Sequence, residues 1–269
     1  MDKTVFAVRC PDYEQVGEKI SELMARMGGI GSYVSAGEKI VLKANLLLPA
    51  GPEKAVTTHP AVLTAVGKGL LDSGAHPVIA DSPGSGYRYN QKMLTRIYRV
   101  CGLEPYCREA GIELNFDFSA RQAFYPEGEL IKRFEVITPV LEADGVINVC
   151  KLKTHLFMHM TGAVKNCFGV IPGLTKPGYH AKLKDNARFA AMLLDLSSYV
   201  APRLSIMDAV TAMEGEGPGS GEPRQVGLLL ASTSPLALDV VAGEIMGIDR
   251  SRNTLLQEAE KRGMSPARL

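Results

Sequence analysis

Short apolar runs alternate with helical patterns along the first part of the chain, and this alternation constrains the fold most strongly. Residues 39–46 and 77–80 have the composition of buried strands, and residues 59–73 between them show the apolar spacing of a helix. Pro60 and Gly74 mark the two ends of that helix. A repeated β-α-β spacing implies parallel strands that are covered by helices. The sequence therefore predicts an α/β fold, with a mostly parallel sheet and helices on both faces.

The rest of the pattern extends this architecture, with one interruption. Residues 113–118 and 123–137 indicate an irregular β-rich insertion around residues 113–140, because Pro126, Glu127 and Gly128 form a hairpin turn signal. We expect a single α/β domain over residues 1–269, built either as one body or as two lobes, residues 1–112 and 113–269, with a cleft between them. Further helices are predicted at residues 13–27, 90–110, 186–199, 236–246 and 251–262, further strands at residues 4–9, 146–150, 204–207 and 226–231, and a loop at residues 214–223.

The composition excludes several classes of protein. A chain of 269 residues with a net charge of +1 and 46% hydrophobic residues is an ordinary globular protein, and we expect no binding to nucleic acid or membranes. No apolar run approaches the roughly 18 residues of a membrane span, so we expect a cytoplasmic protein. Five cysteines without a C-x-x-C pair match neither a disulfide framework nor a zinc or iron–sulfur motif.

Positive charge is concentrated in one segment. Residues 145–184 contain no Asp or Glu, yet they carry six lysines and three of the five histidines of the chain. Only 24 of the 30 Lys and Arg residues lie elsewhere, against 29 acidic residues. Apolar residues and glycines alternate with these lysines, so the segment should be packed within the fold rather than solvated as a charged tail. The segment therefore predicts a site for an anion, a metal complex or a reactive lysine.

Polar side chains stand where the predicted strands end. Lys43 and Asn45 follow one strand, and Asp81 and Ser82 follow the next. Because parallel strands present their carboxyl ends along one edge of the sheet, we expect these side chains to converge there. A lysine at such a place should meet a carboxylate or a bound anion, unless it extends to solvent at the rim of the sheet. The corresponding residues after the later strands are Asn148, Lys151, Lys153 and Asp208.

Residues 151–169 contain the groups best suited to catalysis. A histidine at 155 titrates near neutral pH and suits proton transfer, and small residues at 161–163 would let a ligand approach the backbone where a helix begins. The catalytic candidates are His155, Lys165 and Lys153. The anion-binding candidates are Lys43, Asn45, Thr58, His59, Asp81, Ser82, Asn148, Lys151, Thr154 and Asn166, and the metal-ligand candidates are His180, Asp208 and Glu214.

Several of these strings are similar to those of a known family. Residues 41–46, 57–60, 81–84, 148–155, 161–169 and 208–218 keep the order and composition found in the family named domain of unknown function 362. Many members resemble this chain but continue into a ferredoxin-like module that binds two four-iron, four-sulfur clusters. This sequence has no C-x-x-C-x-x-C pattern. The resemblance therefore implies redox-linked metabolism, with an iron–sulfur partner either supplied on another polypeptide or never used.

A more distant likeness is to the nickel-pincer lactate racemases. Those enzymes have a lysine that carries the cofactor and a later histidine that ligates nickel, and Lys165 and His180 stand in a similar order here. The proline that precedes the first histidine in that family is replaced by Lys153 and Thr154 before His155. The likeness implies a shared cleft, in which the cofactor would be a metal ion or a lysine-linked group.

Three functions are consistent with the sequence. The first is an oxidoreductase-like protein that binds a small anionic substrate or cofactor in a Lys/His-rich cleft and works with an iron–sulfur partner. The second is a metal-dependent racemase or isomerase of a small hydroxy acid, in which Lys165 anchors the cofactor and His180 ligates the metal. The third is a non-catalytic protein that docks to a ferredoxin through its basic residues.

Overall fold

In the computed structural model, which describes residues 3–264, eight strands form one mixed sheet. The order along the main path is β1-β10-β9-β7-β2-β3-β4, and β8 pairs with β7. The central neighbours β9, β7, β2 and β3 run parallel, whereas β1 and β10 add an antiparallel edge. The strands are β1 Phe6–Arg9, β2 Lys39–Lys43, β3 His76–Ala80, β4 Glu113–Leu114, β5 Ala120–Phe124, β6 Arg133–Ile137, β7 Gly145–His155, β8 His159–Thr161, β9 Leu204–Glu214 and β10 Glu222–Ser232.

Helices cover both faces of this sheet, which confirms the predicted α/β class. On one face, Leu42, Ile147 and Val149 belong to the same buried cluster as the apolar residues of α1 and α2. On the other face, Cys150 and Met207 pack with residues of α9. The helices are α1 Val16–Arg26, α2 Pro60–Asp72, α3 Gln91–Val100, α4 Leu103–Ala110, α5 Thr138–Leu141, α6 Ala163–Asn166, α7 Lys176–Lys182, α8 Asn186–Val200, α9 Pro235–Ile245 and α10 Thr254–Lys261.

Several elements differ from the sequence prediction. The helix expected at residues 90–110 is two helices, because Gly102 adopts a left-handed backbone (φ 78°) that ends α3 and starts α4. The strand expected at residues 146–150 extends to His155, since β8 pairs with its far end. Similarly, β9 and β10 extend towards the glycine-rich turn, which shortens the loop to residues 215–221. The basic segment is therefore part of the sheet over its first eleven residues.

The β-rich insertion is confirmed, but its strands belong to two different sheets. The short strand β4 joins the main sheet beside β3, whereas β5 and β6 form a separate antiparallel hairpin. The main sheet draws strands from both halves of the chain, so the division into lobes stays a prediction. None of the helices within residues 3–264 has the length and apolar character that crossing a membrane would require.

Candidate functional site

A cleft of about 140 Å³ opens beyond the carboxyl ends of β2 and β3, beside α6 and α7. Ligands of α/β proteins commonly bind at this edge of the sheet. We call it the lysine cleft, because Lys153, Lys165 and Lys176 line it together with His155 and His180. Polar side chains that share the lining are Asn45, Asp81, Ser82, Thr161 and Asn166. The sequence predicted that basic side chains would meet at the strand ends, and Lys153, Lys165 and Lys176 lie together there.

A buried ion pair lies beneath the lysine cleft. The Lys43 ammonium is 2.8 Å from Asp81 Oδ1, and both side chains are almost fully buried. Asp81 also accepts hydrogen bonds from the backbone N–H groups of Leu46, at 2.6 Å, and Ser82, at 2.9 Å. Lys43 donates a further bond to its neighbour's carbonyl, Ala44 O, at 2.7 Å. The one carboxylate that lines the cleft is thus already matched to a lysine that is outside the lining.

Gly169 packs directly on this ion pair. A Cβ atom at that position would overlap both Asp81 Oδ1 and Lys43 Nζ. We expect Gly169→Ala to separate the two charges and lower the free energy of unfolding by about 3 kcal/mol, as measured by urea denaturation. Gly178→Ala is the matched control, since a Cβ there meets nothing within 4 Å, and its effect should stay below about 1 kcal/mol. Equal stabilities for the two variants would contradict this packing.

Lys153 is held at the inner end of the cleft by neutral acceptors. Its ammonium donates to Asn45 Oδ1 at 2.9 Å and to Val56 O at 2.6 Å. Asn45 donates in turn to Asn166 Oδ1 at 2.9 Å, and Asn166 donates to Asn148 Oδ1 at 2.7 Å. Burial lowers the pKa of Lys153 well below its ordinary value, and the nearby Lys165 adds to this decrease. This chain of amides fixes the lysine without neutralising it.

Lys176 is fixed by the turn that follows β3. Its ammonium donates to Ser82 Oγ at 2.9 Å, to Ser82 O at 3.1 Å and to Pro83 O at 2.5 Å. Burial lowers the pKa of Lys176 to about 7, and repulsion from Lys43 and Lys165 acts in the same direction, while Asp81 opposes it. Uncharged oxygen atoms therefore hold the Lys176 ammonium in place, at a buried position close to other lysines.

Lys165 differs from the buried lysines, because it is only partly buried and pairs with no residue in the described part of the chain. Within residues 3–264, its ammonium has no hydrogen bond and no ion pair, although it lines the cleft. Burial lowers the pKa of Lys165 to about 8. The short helix α6 that carries it is anchored by Asp239, which accepts hydrogen bonds from Ala163 N at 2.5 Å and Val164 N at 3.0 Å. A rigid helix thus presents an unpaired amine to the cleft.

The two histidines of the cleft differ in their hydrogen bonding. His155 Nδ1 accepts bonds from the backbone N–H groups of Phe157, at 3.1 Å, and Met158, at 3.2 Å. Burial and the nearby Lys165 lower the pKa of His155 to about 2, so the ring is neutral with its proton on Nε2. His180 stacks on Phe189 at 4.6 Å, and its ring nitrogens have no hydrogen-bond partner in the described chain. His155 can therefore donate a hydrogen bond from Nε2, and the unpaired ring of His180 can accept a proton.

The buried lysines should give the stability of the unliganded protein an unusual dependence on pH. The native pKa of Lys176 is about 7, so between pH 6.5 and 8.5 the native state releases a proton that the unfolded chain retains. Stability rises with pH wherever the unfolded state binds more protons, so we expect an increase of about 1–2 kcal/mol over this interval. Urea denaturation in a buffer without phosphate or carboxylate measures it. Lys176→Met should remove most of the rise, and a flat curve for the parent protein would contradict the pKa of Lys176.

Lys151 lies outside the cleft, contrary to our expectation. Its ammonium is 2.8 Å from Asp208 Oδ2 and 2.9 Å from Tyr13 Oη. Tyr13 Oη donates to Asp208 Oδ1 at 3.1 Å, and its ring stacks on His59 at 3.6 Å. His59 completes this Lys151 cluster by donating its backbone N–H to Asp208 Oδ2 at 3.0 Å. Lys151, His59 and Asp208 are not lining residues of the lysine cleft.

The three predicted metal ligands are separated in the structure. His180 lines the cleft, Asp208 is paired with Lys151, and Glu214 is half exposed at 3.5 Å from Arg224. Across residues 3–264, no group of three His, Cys, Asp or Glu side chains is placed to hold a metal ion. The structure does not bring the three together, because Asp208 and Glu214 lie at separate points along β9 and His180 lies on α7.

The remaining candidates support the cleft from behind or lie beside it. Thr58 donates to Val149 O at 2.8 Å, and Asn148 donates to Ala163 O at 2.9 Å, so both tie strands to neighbouring segments. The buried hydroxyl of Thr154 has no partner among the described residues and is not in the lining. Our residue list missed Lys176 and Thr161, although both lie in the acid-free segment that pointed to the site.

Comparison with known proteins identifies the family. The sequence profile described as Domain of unknown function (DUF362) matches residues 40–244. The chain belongs to this family. A thylakoid-associated protein from Synechocystis sp. is 33% identical to it over 269 residues, covering 99% of this chain and 81% of the relative. The match to DUF362 confirms the resemblance that the strand-end motifs indicated.

Two solved structures share the fold of this DUF362 protein at low identity. Lactate racemase apoprotein from Thermoanaerobacterium thermosaccharolyticum has a TM-score of 0.55 at 12% identity over 89% of this chain. A protein from Thermotoga maritima has a TM-score of 0.53 at 14% identity over 90% of this chain. The chain spans 56% and 61% of those two proteins, respectively. These comparisons establish a fold similar to that of lactate racemase, and at such identities they concern the fold alone.

Proposed function

We propose that this DUF362 protein is an enzyme that binds a small organic anion in the lysine cleft and transfers a proton at a carbon atom of that anion. The observation that carries the proposal is the charge balance at the cleft. Three buried lysines (Lys43, Lys153 and Lys176) and the partly buried Lys165 lie around one carboxylate, Asp81, and that carboxylate is already paired with Lys43. Because buried charges require partners, a bound anion would stabilise the ammonium groups that the protein leaves unmatched.

The size of the cleft favours a small ligand. Its volume of about 140 Å³ is below the roughly 300 Å³ at which pockets for larger ligands and cofactors begin. A carboxylate is the anion best matched to it, since the Lys153 ammonium has one N–H group left to donate, and the Lys176 ammonium, whose three N–H groups are already used, attracts it by charge. Proton transfer is supported by His180, which presents an unpaired ring, and by His155, whose Nε2–H can donate a hydrogen bond to an oxygen atom that gains negative charge.

The cleft does not fit the large lysine-linked metal cofactor that the racemase resemblance implied. Lys165 would suit such an anchor, because its amine is unpaired, but the volume of the cleft is too small. We therefore assign no step to a metal. The redox-linked role, the ferredoxin partner and the cytoplasmic location remain predictions from the sequence, and no contact among the described residues supports a docking role over a binding role.

A thermal-unfolding screen tests the proposal. Oxalate, pyruvate, sulfate and phosphate would be added separately to the protein at constant ionic strength, because a ligand that binds only the native state raises the unfolding temperature. We expect the two small carboxylates to give the largest increases, and Lys165→Met to reduce them. Lys182→Met, which removes an exposed lysine of the same segment, should leave them unchanged. If none of the four anions changes the unfolding temperature, the proposal is wrong.

A further inference from the structure

The state of Lys165 suggests more than charge attraction. The three buried lysines of the site, Lys43, Lys153 and Lys176, are each held by a carboxylate or by fixed oxygens, as expected of side chains that hold a charge in place. Lys165 has no such partner within the described residues, and it faces the cleft. A lysine amine left unpaired among other cations is the arrangement that favours the neutral, nucleophilic form.

The surroundings of Lys165 raise the fraction of its amine that is neutral at physiological pH. Burial lowers its pKa to about 8, and the same burial lowers the pKa of Lys176 to about 7. The field of Lys165 lowers the pKa of Lys153, His155 and His180 in turn, which places all of these groups within electrostatic reach of one another. A substantial fraction of Lys165 is therefore able to act as a nucleophile without a separate base to deprotonate it.

A second, independent feature points to an oxygen atom of the ligand. Thr161 lines the cleft, its side chain is only 3% exposed, and its hydroxyl has no hydrogen-bond partner within residues 3–264. Buried hydroxyl groups are almost always hydrogen-bonded, so this one requires an explanation. A ligand with a carbonyl or hydroxyl oxygen near Lys165 would satisfy it, and the ammonium groups of Lys153 and Lys176 would face the carboxylate end of the same ligand.

We infer that the Lys165 amine forms an imine with the carbonyl carbon of a small 2-oxo acid, an assignment that rests on the anion binding proposed above. The amine lone pair forms the C–N bond, and the carbonyl π electrons move to oxygen, which accepts a hydrogen bond from His155 Nε2–H. His180 takes a proton from the attacking nitrogen and returns it to this oxygen, giving a hydroxyl group. A second proton, taken from solvent, allows the hydroxyl group to leave as water, and the nitrogen lone pair forms the C=N bond of the protonated imine. The overall change is the loss of one water molecule, with no oxidation or reduction.

The protonated imine would give His180 a defined role. Positive charge on the imine nitrogen acidifies the C–H bonds next to the former carbonyl carbon, and an unpaired imidazole is suited to remove one of those protons. The electron pair of that C–H bond then forms an enamine, and reprotonation of carbon reverses the step. The protein should therefore exchange the methyl hydrogens of pyruvate with solvent deuterium.

Reductive trapping tests the imine directly. The intact protein would be incubated with pyruvate and sodium borohydride, and peptide mapping by mass spectrometry would locate the reduced adduct. We expect the adduct on Lys165, no adduct at this position without pyruvate, and full labelling in Lys182→Met. Lys165→Met, checked for folding by its thermal unfolding curve, should lose both the adduct and the exchange of pyruvate hydrogens measured by NMR.

The outcomes separate the two proposals. If oxalate raises the unfolding temperature but borohydride yields no adduct on Lys165, the imine is refuted and anion binding stands. An adduct confined to Lys153, Lys176 or surface lysines also refutes the imine at Lys165. If neither oxalate nor pyruvate binds, both proposals fail together.

Discussion

Replacing Asp81 by Asn is expected to lower the free energy of unfolding by about 3–5 kcal/mol at pH 7, because it leaves the buried Lys43 ammonium without a counter-charge. The amide keeps the size of the carboxyl group and one acceptor oxygen, so the backbone bond from Leu46 can persist. The loss should therefore come from the charge and not from a cavity. Urea denaturation monitored by circular dichroism measures it.

A second variant separates the charge from the packing. The double replacement Lys43→Met with Asp81→Leu removes both charges, and replacing a buried ion pair by apolar side chains is often close to neutral. We expect the double variant to be more stable than Asp81→Asn alone. If the double variant is less stable than Asp81→Asn, the hydrogen bonds that Asp81 accepts from Leu46 and Ser82 contribute more to stability than its charge does.

Lys151→Met is expected to have a destabilising effect of similar size, about 3–5 kcal/mol, while leaving anion binding intact. The replacement would strand the Asp208 carboxylate, which is fully buried and would keep only the Tyr13 hydroxyl and backbone N–H groups as partners. Because Lys151 does not line the lysine cleft, the increase in unfolding temperature produced by oxalate should match that of the parent protein.

Lys153→Met is the matched comparison on the same strand. Its ammonium lines the cleft, so this variant should lose most of the oxalate effect. One measurement on the two variants thus distinguishes a lysine of the Lys151 cluster from a lysine that lines the cleft. If Lys151→Met abolished the oxalate effect while still folded, the assignment of Lys151 to a structural cluster would be wrong.

The difference between these two lysines marks the limit of the sequence prediction. The strand pattern placed both of them at the end of β7, and the parallel arrangement correctly brought Lys43, Asn45 and Asp81 to the same edge. What the pattern could not provide is the register of β9, which is irregular between Lys151 and Lys153. Lys151 therefore lies opposite Asp208 on β9. The side chain of Lys153 instead reaches Asn45, beyond the end of β2.

Lys176 illustrates a second limit. The absence of acidic residues from 145 to 184 identified the segment that contains it, but no spacing rule indicated that α7 would return to the turn after β3. Its position depends on hydrogen bonds to Ser82 and Pro83, which are more than ninety residues away along the chain. Periodicity predicts elements, whereas such contacts arise only from the tertiary packing of two loops.

Isothermal titration calorimetry with oxalate at pH 7.5, in two buffers of different ionisation enthalpy, tests the central claim most directly. Without ligand, Lys176 (pKa about 7) and Lys165 (pKa about 8) are partly neutral at this pH, and a bound anion favours their charged forms. We predict that binding takes up at least about one proton per site, seen as a difference in apparent enthalpy between the two buffers. Binding without proton uptake, or no binding at all, would contradict the account.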